Sequence, residues 1–410
     1  MAKQEPQIGP ATRAEALLRM EAFTPRMGLN YATFRNHDYG PQRQSAVSML
    51  SPYLRRRLLT EPEVIAAALA AHGPQEADKF GQEVLWRGYF KGWLEQRPEV
   101  WANYATGRDA DLVALEEDPG LAARVNAAET GETGLACFDA WAKELVSTGY
   151  LHNHARMWFA SIWIFTLKLP WRLGADFFLR HLLDGDPASN TCSWRWVAGL
   201  HTRGKPYVAQ ASNIARFSGG RFTPKESELA TEVTGLMDEE PDGLPRVKSL
   251  RSVLSPEAAK PTAVLLTEED CMPASADLAS LDIRGAVRLY CSHLRSPRRV
   301  AAAVSTFEED ALADTVARIG LDAQPWAASE PEALADWVQS IGAQQIVMPC
   351  ATVGPLVDWI ARALPLLRAR GIVVAEWQRE WDGLVWPHAT AGFFKVKKRL
   401  SDILTKAGLT

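Results

Sequence analysis

Thr148-Gly149-Tyr150-Leu151-His152-Asn153-His154-Ala155-Arg156-Met157 opens the stretch that decides how the chain is read. An apolar run leads from it to Lys168-Leu169-Pro170-Trp171-Arg172. Then come Asp184-Gly185-Asp186-Pro187-Ala188-Ser189-Asn190 and Trp194-Arg195-Trp196. Met157 to Lys168 is apolar on every face, which predicts a buried central helix. Asn153, Arg156, Asp184, Asp186 and Asn190 bracket that helix with groups able to hold a large ligand, and tryptophans lie on both sides. Plainer roles exist for each. Asn153 and Arg156 could be a helix cap and a solvated arginine. Asp184 and Asp186 could be a carboxylate pair for a metal or for acid–base work, but no third ligand follows at a suitable spacing.

The rest of the chain bounds what this stretch can belong to. A length of 410 residues with 47% hydrophobic content suggests two or three domains with real cores. The formal net charge of −4 argues against a general nucleic-acid binder. The charge is uneven, however. Residues 1–225 carry 26 Lys and Arg against 23 Asp and Glu, and the remainder carries 19 against 26. A mildly basic half joined to an acidic one allows a local phosphate-binding face. Cys137, Cys192, Cys271, Cys291 and Cys350 are scattered, without a CxxC pair, which reads as reduced thiols in a cytoplasmic protein. The first residues have no apolar core of a signal peptide, and Met157–Leu167 is too short to span a bilayer.

Upstream, residues 11–35 have Ala14, Leu17, Leu18, Met20 and Phe23 at helical spacing. Ser45-Ala-Val-Ser-Met-Leu-Ser-Pro-Tyr-Leu54 is a hydroxyl-rich turn opening a helix, either an ordinary N-cap or a phosphate site. Arg55-Arg56-Arg57 reads as a solvated face. Residues 80–97 predict a helix with Glu83, Trp86 and Arg87 on one face, a trio costly in a plain core. Residues 103–133 read as acidic, turn-rich surface, and 223–260 as a linker with some helix. From 261 the texture changes. Short branched runs at Ala263–Leu266, Val287–Tyr290, Gln345–Met348 and Ile372–Glu376 alternate with helical patterns at 297–319, 330–341 and 353–370. That alternation predicts a parallel sheet in an α/β domain. Gly354 follows a strand, but no GxGxxG occurs.

The four linked motifs of the opening stretch resemble the flavin-binding domain of the photolyase/cryptochrome family. The family pattern reads Thr-Gly-x-x-His-Asn-Arg-x-Arg-Met, Trp-Arg-x-Gly, Asp-x-Asp-x-Ala-x-Asn and Trp-x-Trp, in that order. The resemblance implies a fold of class α plus α/β: an all-helical FAD-binding domain (1–222), a linker (223–260) and a smaller Rossmann-like α/β domain (261–410). That last part is similar to the family's antenna domain, moved behind the flavin domain. Its acidic loop Thr267-Glu-Glu-Asp270 stands where a basic one is usual, so the antenna chromophore stays unassigned.

The resemblance also implies roles. Tyr39, Ser48, Leu50, Ser51, Arg87, Asn153, Arg156, Asp184, Asp186 and Asn190 would contact FAD. Glu83, Trp86, Asn153 and Met157 would face the dimerised bases, with Asn190 opposite the reactive flavin nitrogen. Trp194 and Trp171 would be the inner members of an electron-transfer chain. No tryptophan occurs in 103–133 for the outer one, which leaves Trp141, Trp158 and Trp163 as candidates. Val47, Gly88 and His154 depart from the family pattern. Asn153 and Met157 match relatives that repair cyclobutane pyrimidine dimers. The activity implied is light-driven repair of such dimers in DNA, with damaged DNA as partner and no membrane. A cryptochrome-like photoreceptor without repair is the alternative.

Overall fold

Helical spacing governs the chain as far as Phe217, and strand–helix alternation governs residues 261–377. The structure, a computed structural model, describes residues 8–42, 46–273 and 278–410. The first residues and Ser45 of the hydroxyl-rich turn thus lie outside the described residues.

The first part is helical: α1 (Arg13–Phe23), α2 (Leu29–Phe34), α3 (Ser51–Arg55), α4 (Glu61–Glu95), α5 (Pro98–Glu117), α6 (Pro119–Thr130), α7 (Ala136–Thr148), α8 (Asn153–Ser161), α9 (Trp171–His181), α10 (Pro187–Val197) and α11 (Ala211–Phe217). The single helix expected over 11–35 is interrupted by a 3-10 turn at Thr24–Arg26, where Pro25 supplies no N–H. α4 begins well before residue 80. Glu63 reaches back to the Thr60 N–H at 2.8 Å to close its first turn, and the helix bends where Gly73 takes φ +71° ahead of Pro74. Residues 103–133 are not turn-rich. They form most of α5 and α6, broken once at Asp118, whose carboxylate accepts from the Gly120 and Leu121 N–H groups. Alanine, leucine and glutamate favour helix there despite the acidic surface. α8 continues through a π-turn at Ile162–Thr166, so the apolar run is buried and helical in character.

Strands β1 (Pro261–Leu266), β2 (Asp282–Tyr290), β3 (Gln324–Ala327), β4 (Gln345–Pro349) and β5 (Val373–Trp377) form one parallel sheet in the order β3-β2-β1-β4-β5. β3 is absent from the sequence reading. It is a short edge strand containing Pro325, which an edge tolerates. Side chains alternate along β1. Ala263 and Leu265 enter the core shared with α13 (Pro331–Ser340) and α14 (Pro355–Ala369). Val264 and Leu266 enter the large core shared with α12 (Ala302–Ile319) and the helical part. The fold class is therefore α plus α/β, the sheet lying between its own helices and the helical part.

Past β5 the chain leaves the sheet. α15 (Glu380–Val385), α16 (Phe393–Lys397) and α17 (Leu400–Lys406) return to the helical core, and α15 and α16 lie against α4. Two glycines allow this approach. A Cβ on Gly88 would stand 3.2 Å from Val385, and one on Gly92 only 2.6 Å from the Trp386 backbone. Gln96 donates to the Trp386 carbonyl at 2.8 Å. Residues 223–260 hold 3-10 turns at Glu226–Glu228 and Met237–Glu239. Glu239 pins the second by accepting from the Trp171 indole at 2.9 Å and pairing with Arg172 at 2.8 Å.

One expectation is overturned outright. Arg55, Arg56 and Arg57 are 2%, 0% and 4% exposed, not a solvated face. Glu268-Glu269-Asp270, at the carboxyl end of β1, meets them and supplies the opposing charge.

Candidate functional site

The site is built from two loops held side by side. Gly149 ends α7 in the left-handed conformation (φ +67°), and a Cβ there would strike Leu183 at 2.6 Å. The bare glycine lets Leu183 N–H donate to the Gly149 carbonyl at 2.8 Å. Thr148 accepts from Tyr150 N–H and shapes the same turn. The Thr-Gly pair thus sets residues 150–152 beside residues 182–186. Across that seam Arg156 donates to Asp184 at 2.9 Å and to the Leu151 carbonyl at 2.8 Å, its guanidinium 5.5 Å from the Tyr150 ring. The nearby Ser51 hydroxyl helps to hold the Asp184 carboxyl low. Arg87 reaches the Ser51 carbonyl at 3.4 Å and bears electrostatically on both Asp184 and Asp186. Five residues named from sequence therefore converge: Ser51, Arg87, Arg156, Asp184 and Asp186.

Asp186 caps α10, accepting from Ser189 N–H at 2.8 Å, with Pro187 at the first helical position. Burial would raise its carboxyl, but Lys91, Arg55 and Arg87 outweigh that and hold it below the ordinary range. Asp184 is likewise buried and held low, chiefly by Arg156. Both stay ionised, unlike a proton-donating acid. Asp184 Oδ1 and Arg87 Nη1 are buried without a hydrogen-bond partner, and Asp186 Oδ2, also without one, faces Arg55 at 3.6 Å and Lys91 at 3.7 Å. Unpartnered buried polar atoms are rare and costly. Two acceptors and one donor, closed off from water, fit a ligand such as FAD, whose rings, ribityl chain and diphosphate offer both kinds of group.

The remaining sequence-named residues spread around this cluster. Asn190 donates its amide N–H to the Ala175 carbonyl at 2.8 Å, which turns an acceptor oxygen away from that bond. Leu50 is buried, while Ser48, whose hydroxyl accepts from Leu50 N–H at 3.4 Å, and Tyr39, stacked on His37, are half-buried. On α8, Asn153 is exposed and Met157 half-buried one turn later. Glu83 pairs with Lys79 at 2.9 Å and lies 3.6 Å from Arg35. Trp86 lies face to face with Phe393 of α16, centroids 3.9 Å apart and 8° from parallel. Phe393 and Lys91 escaped the sequence reading. Lys91 had a signal, one helical turn past Arg87; Phe393 had none.

The tryptophans fall into separate groups. Trp194 meets Trp163 at 6.3 Å and Phe178 at 5.1 Å, while Trp171 meets Tyr104 at 5.9 Å. Trp141 stacks on Trp158 at 5.4 Å, and Trp158 on His154 at 4.3 Å. The five cysteines are free and buried, and no helix among the described residues is long and apolar enough to cross a membrane.

Comparison with known proteins points the same way. Residues 80–224 match the family described as the FAD binding domain of DNA photolyase. The chain is 34% identical over 162 residues to a deoxyribodipyrimidine photo-lyase of Streptomyces griseus, covering 39% of this chain and 34% of that one. With the enzyme of the same name from Thermus thermophilus it shares 35% over 186 residues, covering 43% and 41%. A solved class III photolyase from Agrobacterium tumefaciens is 28% identical, covering 51% of this chain and 43% of that one, at a TM-score of 0.42. The chain spans roughly a third to two fifths of the length of these two curated relatives. Residues 80–224 are thus similar to the FAD binding domain of DNA photolyase, which makes FAD the cofactor of the helical half.

Proposed function

We propose that the chain repairs cyclobutane pyrimidine dimers in DNA under blue light. The observation that carries this reading is the buried cluster of Arg156, Asp184, Asp186 and Arg87 with its unpartnered atoms, Arg87 following Trp86 directly and Glu83 by one helical turn on α4. FAD, when bound, reduced and excited, supplies one electron to the dimer and takes it back after the two ring bonds have opened. The chain's residues do the rest. Asp184, Asp186 and Arg87 complement polar groups of the cofactor in a dry site. Arg156 holds Asp184 ionised and fixed. Asn190, with its N–H engaged on Ala175, presents an acceptor suited to a protonated ring nitrogen, as in reduced flavin. Glu83, Asn153 and Met157 line the side where an extruded dimer would lie, and Trp86 offers an aromatic surface for it. Damaged DNA is the partner. Exposed Lys395, Lys398 and Arg399, just past Phe393, support phosphate contact. Buried free thiols fit a cytoplasmic setting.

The stacking of Phe393 on Trp86 favours the second reading, a photoreceptor that reduces its flavin in light without repairing DNA. One face of the ring that would pack on a dimer is already covered. Illumination of the reduced, FAD-loaded protein with ultraviolet-damaged thymine oligonucleotide separates the two. Recovery of thymine absorbance is expected. No recovery with the flavin intact and reduced would overturn the repair reading in favour of the photoreceptor. Phe393→Ala, which uncovers Trp86, is expected to tighten binding of the damaged oligonucleotide, measured by fluorescence anisotropy; unchanged binding means Phe393 does not compete with the dimer.

A further inference from the structure

In a parallel sheet of order β3-β2-β1-β4-β5, β1 and β4 lie at the switch point, where chain connections run to opposite sides. The crevice past their carboxyl ends is where such sheets take ligands. Here the chain fills it with its own charges. Glu268 and Glu269 follow β1 and are 2% and 7% exposed. Thr352, just past β4, donates to Glu269 at 3.4 Å. Into this crevice comes Arg55 from α3, bonded to Glu269 at 2.7 Å.

The same cations grip the loop that carries Asp184 and Asp186. Arg55 donates to the Gly185 carbonyl at 3.1 Å and lies 3.6 Å from the Asp186 carboxylate. Arg56 donates to the Leu183 carbonyl at 2.5 Å and pairs with Glu268 at 2.8 Å. Arg295, after β2, pairs with Glu268 at 2.8 Å and donates to the Leu182 carbonyl at 3.3 Å. A Cβ on Gly185 would come within 2.8 Å of that guanidinium. Lys91 sits between Asp186 at 3.7 Å and Glu269 at 3.6 Å. Carbonyls on both sides of Asp184, and the Asp186 carboxylate itself, are thus tied to two glutamates of the α/β half. A buried ion cluster is weak evidence for stability, but losing one partner leaves a charge uncompensated.

We propose that the α/β half is a positioning element of the flavin site. Glu268 and Glu269, acting through Arg55, Arg56, Arg295 and Lys91, fix the loop 182–186 and set the charge that its carboxylates meet. The proposal rests on the reading that Asp184 and Asp186 face FAD. Glu269 acts through the side chains it pairs with, Arg55 and Lys91.

The test uses the full-length chain loaded with FAD. Glu269→Gln keeps the size of the side chain and removes its charge. It is expected to weaken FAD about tenfold, read by flavin fluorescence, because it breaks a buried charge pair. The flavin midpoint potential is expected to rise, since the site becomes more positive and favours the electron-rich form. Glu269→Asp keeps the charge and should recover most of both values. Asp382→Asn breaks the Arg57 pair at the same interface, away from loop 182–186. It should lower the melting temperature and leave FAD affinity unchanged. Wild-type affinity and potential in Glu269→Gln would overturn the proposal, as would an equal loss of FAD in Asp382→Asn. If Glu269→Gln does not fold, Glu269→Asp decides alone: a tenfold FAD loss despite retained charge overturns the charge-setting role. A wild-type chain that binds FAD but is indifferent to Asp184→Asn would instead overturn the site reading beneath it.

Discussion

Asp184 meets Arg156 with one oxygen left unpartnered, so its charge is held for something beyond the protein. Asp184→Asn keeps the shape and removes that charge. FAD affinity is expected to fall by one to two orders of magnitude, roughly 1.4–3 kcal/mol, in a titration followed by fluorescence. Glu144 makes a different point. Burial first, then the nearby Asp38, pushes its carboxyl up to about 8, against partial relief from Arg221 at 3.7 Å. A carboxyl raised on folding holds its proton more tightly in the folded chain. The stability it gives is fully present below its ordinary value of 4.5 and is lost as pH rises through about 8. Thermal melting of the wild type should therefore drop across that window, and Glu144→Gln should flatten the drop. At this scale the opening motif was legible, because Thr148-Gly149 and Arg156 act within a few residues of one another and Asp184 follows in a linked motif. Arg55–57 were not. Their acidic partners in the α/β half lie more than two hundred positions away, and a charge run carries no mark of what will meet it.

Helices and strands were legible where periodicity was strong. The buried run of α8 and the strands β1, β2, β4 and β5 follow from spacing alone. β3 is four residues with a proline and no alternation to detect. α5 and α6 were hidden by an acidic surface that resembles loop composition while its alanines and leucines favour helix. The least legible feature is the glycine-lined face of α4. Gly88 reads as a departure from the family pattern in sequence, yet in the fold Gly88 and Gly92 form a groove for Val385 and Trp386. Gly92→Val would place a branched side chain against the Trp386 backbone. It is expected to cost about 1–3 kcal/mol by overpacking, seen as a lower midpoint in urea. An unchanged midpoint would mean that α15 does not close on α4 as described.

The molecule as a whole is tied together across its full length. The sheet lies between its own helices and the helical part, and the chain then comes back to α4. Gln96 and Trp386 are bonded although 290 positions separate them. Ending the chain after residue 378 should therefore expose the α4 groove and lower solubility and melting temperature more than the loss of a detached tail would. Dye binding to exposed apolar surface measures this directly. That return also has a consequence for synthesis. The ribosome delivers Trp386 290 residues after Gln96 at the end of α4, so the groove beside Trp86 stays open while the sheet and its helices are being made. Loop closure over such a span is slow. Flavin taken up during that interval would enter before α15 and α16 close on α4.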